Sequence, residues 1–239
     1  MTDYKNDEKT LAQFILDTMP SNIEKLIVDV GANDNADFSE YFVKQNTDWK
    51  LILIEPNPEC INNLKIKYPE QIIVQKACSD KTEISQLFLG NGSTELSTLN
   101  VNSDPWLDMV RSEQTIDVQL DTLTNILLDN NCPKEIGVLK IDAETHDPFV
   151  LKGFDFNLFS PMYIVTEEYY WEPENLKLKY NILNDAGYIL LGYVNYNSLW
   201  IKKTDNINYP YLLLNIYKNI NLLNHNNICG LFLNSPKQV

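Results

Sequence analysis

Four apolar runs along this chain stop at an acid. Leu26-Ile27-Val28 runs into Asp29, Leu51-Ile52-Leu53-Ile54 into Glu55, Val138-Leu139-Lys140-Ile141 into Asp142, and Tyr163-Ile164-Val165-Thr166 into Glu167-Glu168. Short apolar runs bounded by turn residues predict strands buried on both faces of a parallel sheet. Between them the apolar spacing changes to three and four. Leu11, Phe14, Ile15 and Thr18 predict a helix over 8–19, ended by Pro20 and Ser21, and Phe38, Tyr41 and Phe42 predict one over 36–45. Ile61 and Leu64 mark a helix over 59–68, and residues 176–186 another, closed by Gly187. Residues 71–77 read as a third strand, and 188–193 with 198–202 as a final antiparallel pair. Strands alternating with helices predict an α/β fold with helices on both faces of a mostly parallel sheet.

The rhythm breaks between residues 84 and 120. Runs at 85–89 and 115–120 alternate apolar and polar positions, with Gly90, Gly92 and several serines between them. That pattern predicts a β-rich insertion before the helix that starts at Asp121-Thr122. Trp106 lies within it and either lines a substrate mouth or, more plainly, packs on its own flap. Domain boundaries are therefore drawn at 1–203 for the α/β domain and 204–239 for a C-terminal extension. In that extension 211–223 predicts a docking helix and 230–239 a fraying tail.

Composition narrows the partners. The 239 residues are 44% hydrophobic and 22% charged, and the net charge is −14 with no Lys/Arg-rich run against it. Such a chain repels phosphate backbones and anionic lipid, which argues against nucleic acid and membrane partners. No apolar run approaches the roughly 18 residues of a membrane span. Cys60, Cys78, Cys132 and Cys229 form no C-x-x-C pair, and no apolar signal core follows Met1, so reduced thiols in a cytoplasm are expected. Oligomeric state is left open.

The acids carry the candidate chemistry. Gly31 permits a sharp turn and close approach of a ligand after the first strand. A dinucleotide turn wants G-x-G-x-x-G, but here the frame is Gly31, Asn33, Ala36. Asn33 brings a Cβ to where a pyrophosphate would press, and Asp29 adds negative charge. Both suit a ligand with an ammonium group and no phosphates, such as S-adenosylmethionine (SAM), although turn N–H groups can still hold an anion. Glu55 lies 24 positions after Gly31, where an acid accepts both ribose hydroxyls; the plainer account is a solvated acid. Asp142, Glu144, His146 and Asp147 crowd the same end of the sheet, which suits a divalent cation or acid–base work. The plainer account has Asp147 capping a helix, with Pro148 at its first position, and His146 exposed. Glu167 and Glu168 reach that edge too and, with Asp142, make a candidate Mg²⁺ set; one pairing locally and the other solvated is the bland alternative. Tyr169, Tyr170 and Trp171 follow, to stack on a sugar ring or to pack. The only histidines are His146 and His225 and no G-x-S-x-G exists, against a hydrolase triad.

Several motifs in order strengthen this. Val28-Asp29-Val30-Gly31-Ala32-Asn33, Ile54-Glu55-Pro56-Asn57-Pro58, Ala77-Cys78-Ser79-Asp80, Leu120-Asp121-Thr122-Leu123 and Leu139-Lys140-Ile141-Asp142-Ala143-Glu144 with Val150-Leu151-Lys152-Gly153 resemble the FkbM family of SAM-dependent methyltransferases. The resemblance spans roughly residues 26–203. It implies a Rossmann-like class I methyltransferase sheet with an antiparallel last strand, and O-methylation of a sugar or natural-product hydroxyl. By position, Asp29, Gly31 and Asn33 would cradle the methionine end of SAM, and Glu55 beside Pro56 would take the ribose. Ser79 and Asp80 would border the adenine, and Asp142 and Glu144 would face the methyl-transfer centre. His146, Glu144 and Glu168 are the candidate bases. Two departures stand out: the family usually has glycine where this chain has Asn35 and Thr145. Asn tolerates left-handed backbone angles, whereas the branched Thr145 is expected to alter the substrate pocket. Two other classes stay open: a SAM- or nucleoside-binding module without catalysis, and a nucleotide-dependent oxidoreductase, against which Asn33 and Asp29 argue.

Overall fold

The structure, a computed structural model, describes residues 4–91, 94–99, 111–194 and 196–204. Helix α1 (Tyr4–Thr18) leads into β1 (Leu26–Val30), followed by α2 (Asp37–Gln45), β2 (Lys50–Ile54), α3 (Pro58–Lys67) and β3 (Ile72–Val74). Then come β4 (Ala77–Ser79), β5 (Glu83–Gly90) and β6 (Arg111–Thr122). The chain continues with α4 (Leu123–Asp129), β7 (Glu135–Ile141), α5 (Asp147–Lys152), β8 (Ser160–Glu167), α6 (Pro173–Asp185), β9 (Tyr188–Val194) and β10 (Asn197–Lys202).

Among the described residues, seven strands form one sheet in the order β3-β2-β1-β7-β8-β10-β9. The pairs β3–β2, β2–β1, β1–β7 and β7–β8 are parallel, and β10 runs antiparallel to both its neighbours. All five residues of β1 are buried, the acid Asp29 among them, as in a strand covered on both faces. The pleat divides them. Ile27, Leu51 and Leu53 pack with Phe14, Ile15, Phe38 and Phe42 of α1 and α2. Val28, Ile52 and Ile54 pack with Leu123, Leu127, Val150 and Leu151 of α4 and α5. Each such side chain contributes about 1.5–3 kcal/mol by leaving water. This is the doubly wound, mostly parallel sheet with an antiparallel last strand that the sequence predicts.

One strand differs. The run read as a third strand over 71–77 is two pieces: Ile72–Val74 pairs with β2, while Ala77–Ser79 pairs in parallel with β6 in a second sheet of order β4-β6-β5. Lys76 reaches Asp121 at 2.7 Å and ties the piece after the break to β6. The alternating runs of the insertion are β5 and β6, an antiparallel pair. Trp106 and the extension beyond residue 204 lie outside the described residues. Among those residues, no helix is long and apolar enough to cross a membrane.

Candidate active site

From β1 the chain passes to β2 on one side, and the sheet resumes with β7 on the other. The crevice between the carboxyl ends of β1 and β7 is thus the topological switch point, where open α/β sheets bind ligands. Gly31 makes it close: its φ is +78°, and a Cβ there would lie 1.8 Å from the Asp142 carbonyl oxygen. The turn continues through Asn33 and Ala36 in left-handed conformation, φ 51° and 48°. Asn35, expected to need those angles, does not adopt them. Its carbonyl oxygen instead accepts from Lys67 Nζ and Tyr68 Oη, both at 2.9 Å.

Asp29 is fully buried. Its Oδ2 accepts the Ser39 hydroxyl at 2.6 Å, and its Oδ1 takes no hydrogen bond. Lys140, the register partner of Asp29 on β7, stands 3.6 Å from that Oδ1 and 3.3 Å from Asp142 Oδ2, with Glu8 of α1 at 3.8 Å. Burial works to discharge Lys140, but the carboxylates of Asp29, Asp142 and Glu8 outweigh it and raise its pKa well above the ordinary lysine value. At the end of β2, Glu55 accepts the Asn33 N–H at 3.0 Å and the Asn57 N–H at 2.8 Å, one on each oxygen. Burial pushes its carboxyl up to about 7 against those two bonds. Each oxygen keeps a lone pair, as a ribose diol requires. Pro56 follows directly in the turn.

Ser79 and Asp80 lie at the end of β4. The Ser79 hydroxyl meets His146 Nε2 at 3.0 Å and Asp80 Oδ1 at 3.4 Å. The His146 ring stacks on Phe149, centroids 4.8 Å apart. Burial pulls the imidazole down to about 4, so it is neutral at pH 7. His146 is half-buried at the cap position of α5 and bonds to Ser79, not to the carboxylates. Asp147, expected to cap that helix, is fully buried and does something else. Its two oxygens accept the N–H groups of Ala143 at 3.0 Å and Glu167 at 3.2 Å, tying the ends of β7 and β8 together.

A third group forms where β7 and β8 end. Asp142, Glu144 and Glu167 each bring an oxygen within 4.8 Å of the others. Burial, then the charges of Asp142 and Glu144, raise Glu167 well above the usual carboxylate range. Asp142 stays low despite burial because Lys140 faces it and Glu167 bonds to it. Glu167 and Asp142 are thus hydrogen-bonded neighbours pushed in opposite directions. The Tyr169 hydroxyl donates to Glu167 in turn. Burial and the charges of Asp142 and Asp147 raise Glu144 well above its ordinary value. Glu144 and Thr145 are left-handed, φ 48° and 74°, and Thr98 beside β5 donates to the Glu144 carbonyl at 2.8 Å. Glu168 points elsewhere: it is fully buried and pairs with Lys179 of α6 at 3.0 Å. Of the three candidate bases, then, only Glu144 stands in the carboxylate group. Sequence reasoning passed over Lys140, Thr98 and the preference for Glu167, although a lysine inside a buried strand is a visible signal.

The strand order and the acid-lined switch point define a class I SAM-dependent methyltransferase sheet. Residues 29–190, more than half of the chain, match the family described as Methyltransferase FkbM domain. The chain belongs to that family. No curated protein matches it by sequence. Among solved structures it is similar to precorrin-6y C5,15-methyltransferase from Geobacter metallireducens GS-15, at 12% identity and TM-score 0.40 over 75% of this chain and 71% of that one. A TehB-like SAM-dependent methyltransferase from Corynebacterium glutamicum ATCC 13032 shares 13% identity at TM-score 0.43 over 81% and 88%. The plantazolicin methyltransferase BpumL in complex with SAH shares 11% at 0.39 over 92% and 78%.

Proposed function

We propose that this methyltransferase transfers the methyl group of SAM to a hydroxyl oxygen of a small-molecule or glycan acceptor, a carbohydrate or secondary metabolite. The observation that carries the reading is the carboxylate group of Asp142, Glu144 and Glu167 at the switch point. The residues fit the donor: Asp29 Oδ1 is buried without a hydrogen bond, and Glu55 offers a free lone pair on each oxygen. Bound SAM supplies a methyl group made electrophilic by a sulfonium. Gly31 and Asn33 shape the turn around the methionine end, Glu55 holds the ribose, and Ser79, Asp80 and His146 border the adenine. Glu144 takes the hydroxyl proton, since a group raised by its neighbours is the stronger base once ionised. Asp142 and Lys140 fix the field around it. Exposed Tyr170 and Trp171, beside the Tyr169 that bonds Glu167, support a ring-shaped acceptor. The free thiols of Cys60, Cys78 and Cys132 support a cytoplasmic site of action.

Mg²⁺ is the second reading, favoured by the same three carboxylates. The Lys140 ammonium, 3.3 Å from Asp142 Oδ2, weighs against it, because it already stands as that carboxylate's positive partner.

The test is calorimetry with SAM, NADH and NADPH, followed by an assay for SAH release over a panel of sugars, glycosides and phenols. SAM binding and turnover on hydroxyl acceptors, unaffected by EDTA, is the expected result. A folded protein that binds NADH and not SAM overturns the reading. One that binds SAM and methylates only nitrogen or sulfur acceptors overturns the O-methyl assignment. SAM binding with no turnover on any acceptor favours the non-catalytic module.

A further inference from the structure

Helix α1 precedes the stretch that matches the family, yet it delivers one side chain to the switch point. Glu8 stands three, four and seven positions before Leu11, Ala12 and Ile15, the buried face of α1. Positions at those separations share one side of a helix, so the packing that buries Leu11 and Ile15 also aims Glu8 inward. Its Oε1 lies 3.8 Å from Lys140 Nζ, whose other neighbours are Asp142 Oδ2 at 3.3 Å and Asp29 Oδ1 at 3.6 Å. One ammonium thus faces three carboxylates. Asp29 Oδ1 is left buried with no hydrogen bond, while the Glu8 side chain keeps 23% exposure, enough for a ligand to reach it. Buried negative charge in excess of its partners is unfavourable, and a second cation in this cluster removes the excess. Burial, with Lys140 working against it, already pushes the Glu8 carboxyl up to about 7.

We infer that Glu8 is a donor-binding residue: together with Asp29 it holds the ammonium group at the methionine end of the methyl donor. This rests on the reading of the switch point as the donor site. It fits the local chemistry, because the ligand end nearest Gly31 and Asp29 must bring a positive charge and must not bring a phosphate. It also gives α1 a role beyond covering the sheet.

The experiment compares Glu8→Gln with the wild-type protein by calorimetry. S-adenosylhomocysteine keeps the ammonium and carries no net charge, so it reports the local contact and not the overall field. 5′-Methylthioadenosine, measured by displacement of S-adenosylhomocysteine, keeps the adenosine and lacks the ammonium. Loss of a charge-assisted hydrogen bond should weaken S-adenosylhomocysteine by about tenfold or more. Methylthioadenosine should change by less than about twofold, since it makes no such bond. Unchanged S-adenosylhomocysteine affinity, or an equal loss for both ligands, overturns the inference and leaves Glu8 as a neutralising partner of Lys140. Wild-type protein that binds neither SAM nor S-adenosylhomocysteine overturns the donor-site reading first. Far-UV circular dichroism and the melting temperature confirm that the near-isosteric variant is folded.

Discussion

Gly31→Ala should separate backbone strain from steric clash at the switch point. Among the described residues two glycines have similar positive φ, Gly31 at +78° and Gly187 at +83°. A Cβ at Gly187 meets nothing within 4 Å, whereas one at Gly31 lies 1.8 Å from the Asp142 carbonyl oxygen. Left-handed backbone costs an L-residue about 1–2 kcal/mol. Reduced freedom of the unfolded chain returns about 0.4–1 kcal/mol. Gly187→Ala should therefore cost roughly 1 kcal/mol. At Gly31 the obstacle is backbone that no rotamer change can move. The β1 and β7 turns must part by about 1.2 Å to reach the 3.0 Å at which real Cβ contacts begin. Overpacking of that kind adds about 1–3 kcal/mol, for a total of roughly 2–4 kcal/mol. A third glycine isolates the clash: Gly153 needs no positive φ, yet its Cβ would lie 2.0 Å from the Ser79 carbonyl oxygen. Urea titration of the three alanine variants measures the stabilities, and calorimetry with SAM measures the donor site. Gly31→Ala should be the least stable and should bind SAM at least tenfold more weakly, because it displaces Asp142. Equal stabilities for Gly31→Ala and Gly187→Ala would refute the close-approach argument.

Other perturbations test the remaining roles. Glu55→Gln should weaken SAM by about tenfold or more through loss of a charged acceptor for the ribose; unchanged affinity removes the ribose assignment. Glu144→Gln should lower kcat by about 10²-fold or more with little change in SAM binding, while His146→Ala should weaken SAM several-fold and spare kcat at saturation. The reverse pattern would return the base role to His146. Glu8, Glu55 and Asp147 sit at about 7 in the folded chain, raised by burial from ordinary values near 4. The fold therefore favours their protonated forms, and the stability they contribute is complete below about pH 4 and lost as pH climbs to about 7. Asp121, held at about 2 by Lys76, Asn125 and Thr82 against burial, acts in the opposite sense between about pH 2 and 4. The melting temperature of the unliganded protein should peak near pH 4–5 and decline toward pH 7.5, and a flat or rising profile over that range would count against these shifts.

The sheet was legible because its strands are short, apolar and terminated by acids. That combination states burial, direction and the location of the ligand edge together. Other features were not legible, for identifiable reasons. Glu167 and Glu168 are adjacent, and successive residues at a strand end point to opposite sides, so a one-residue choice decides which acid joins Asp142 and which meets Lys179. Residues 71–77 read as one strand, but Lys76 reaches Asp121, forty-five positions away, and the chain after it pairs with β6. His146 reads as a base because it lies in the same acid-rich stretch, two positions after Glu144, but its ring bonds Ser79 of the second sheet. Glu8 carries a local signal, an acid in line with an apolar helix face, but its partners are supplied by β1 and β7.

The two departures from the family pattern resolve differently, and the difference bears on the acceptor. Asn35, where the resemblance implies a glycine, stands at a position that needs no left-handed angle. Thr145, where the resemblance also implies a glycine, stands at φ 74°, where a branched Cβ is strained by about 1–2 kcal/mol or more. Thr145 is buried, and the loop around it is pinned from both sides: Thr98 holds the Glu144 carbonyl, and Asp147 holds the Ala143 N–H. Strain of this kind persists only where neighbours over-determine the conformation, and it collects beside reacting groups. Here the neighbour is Glu144, the proposed base, left-handed at φ 48° and one residue upstream. The threonine side chain therefore occupies volume that a glycine would leave open, one residue after the proposed base and one before His146, which meets Ser79. We therefore propose that Thr145 shapes the space in which the acceptor is aligned beside Glu144.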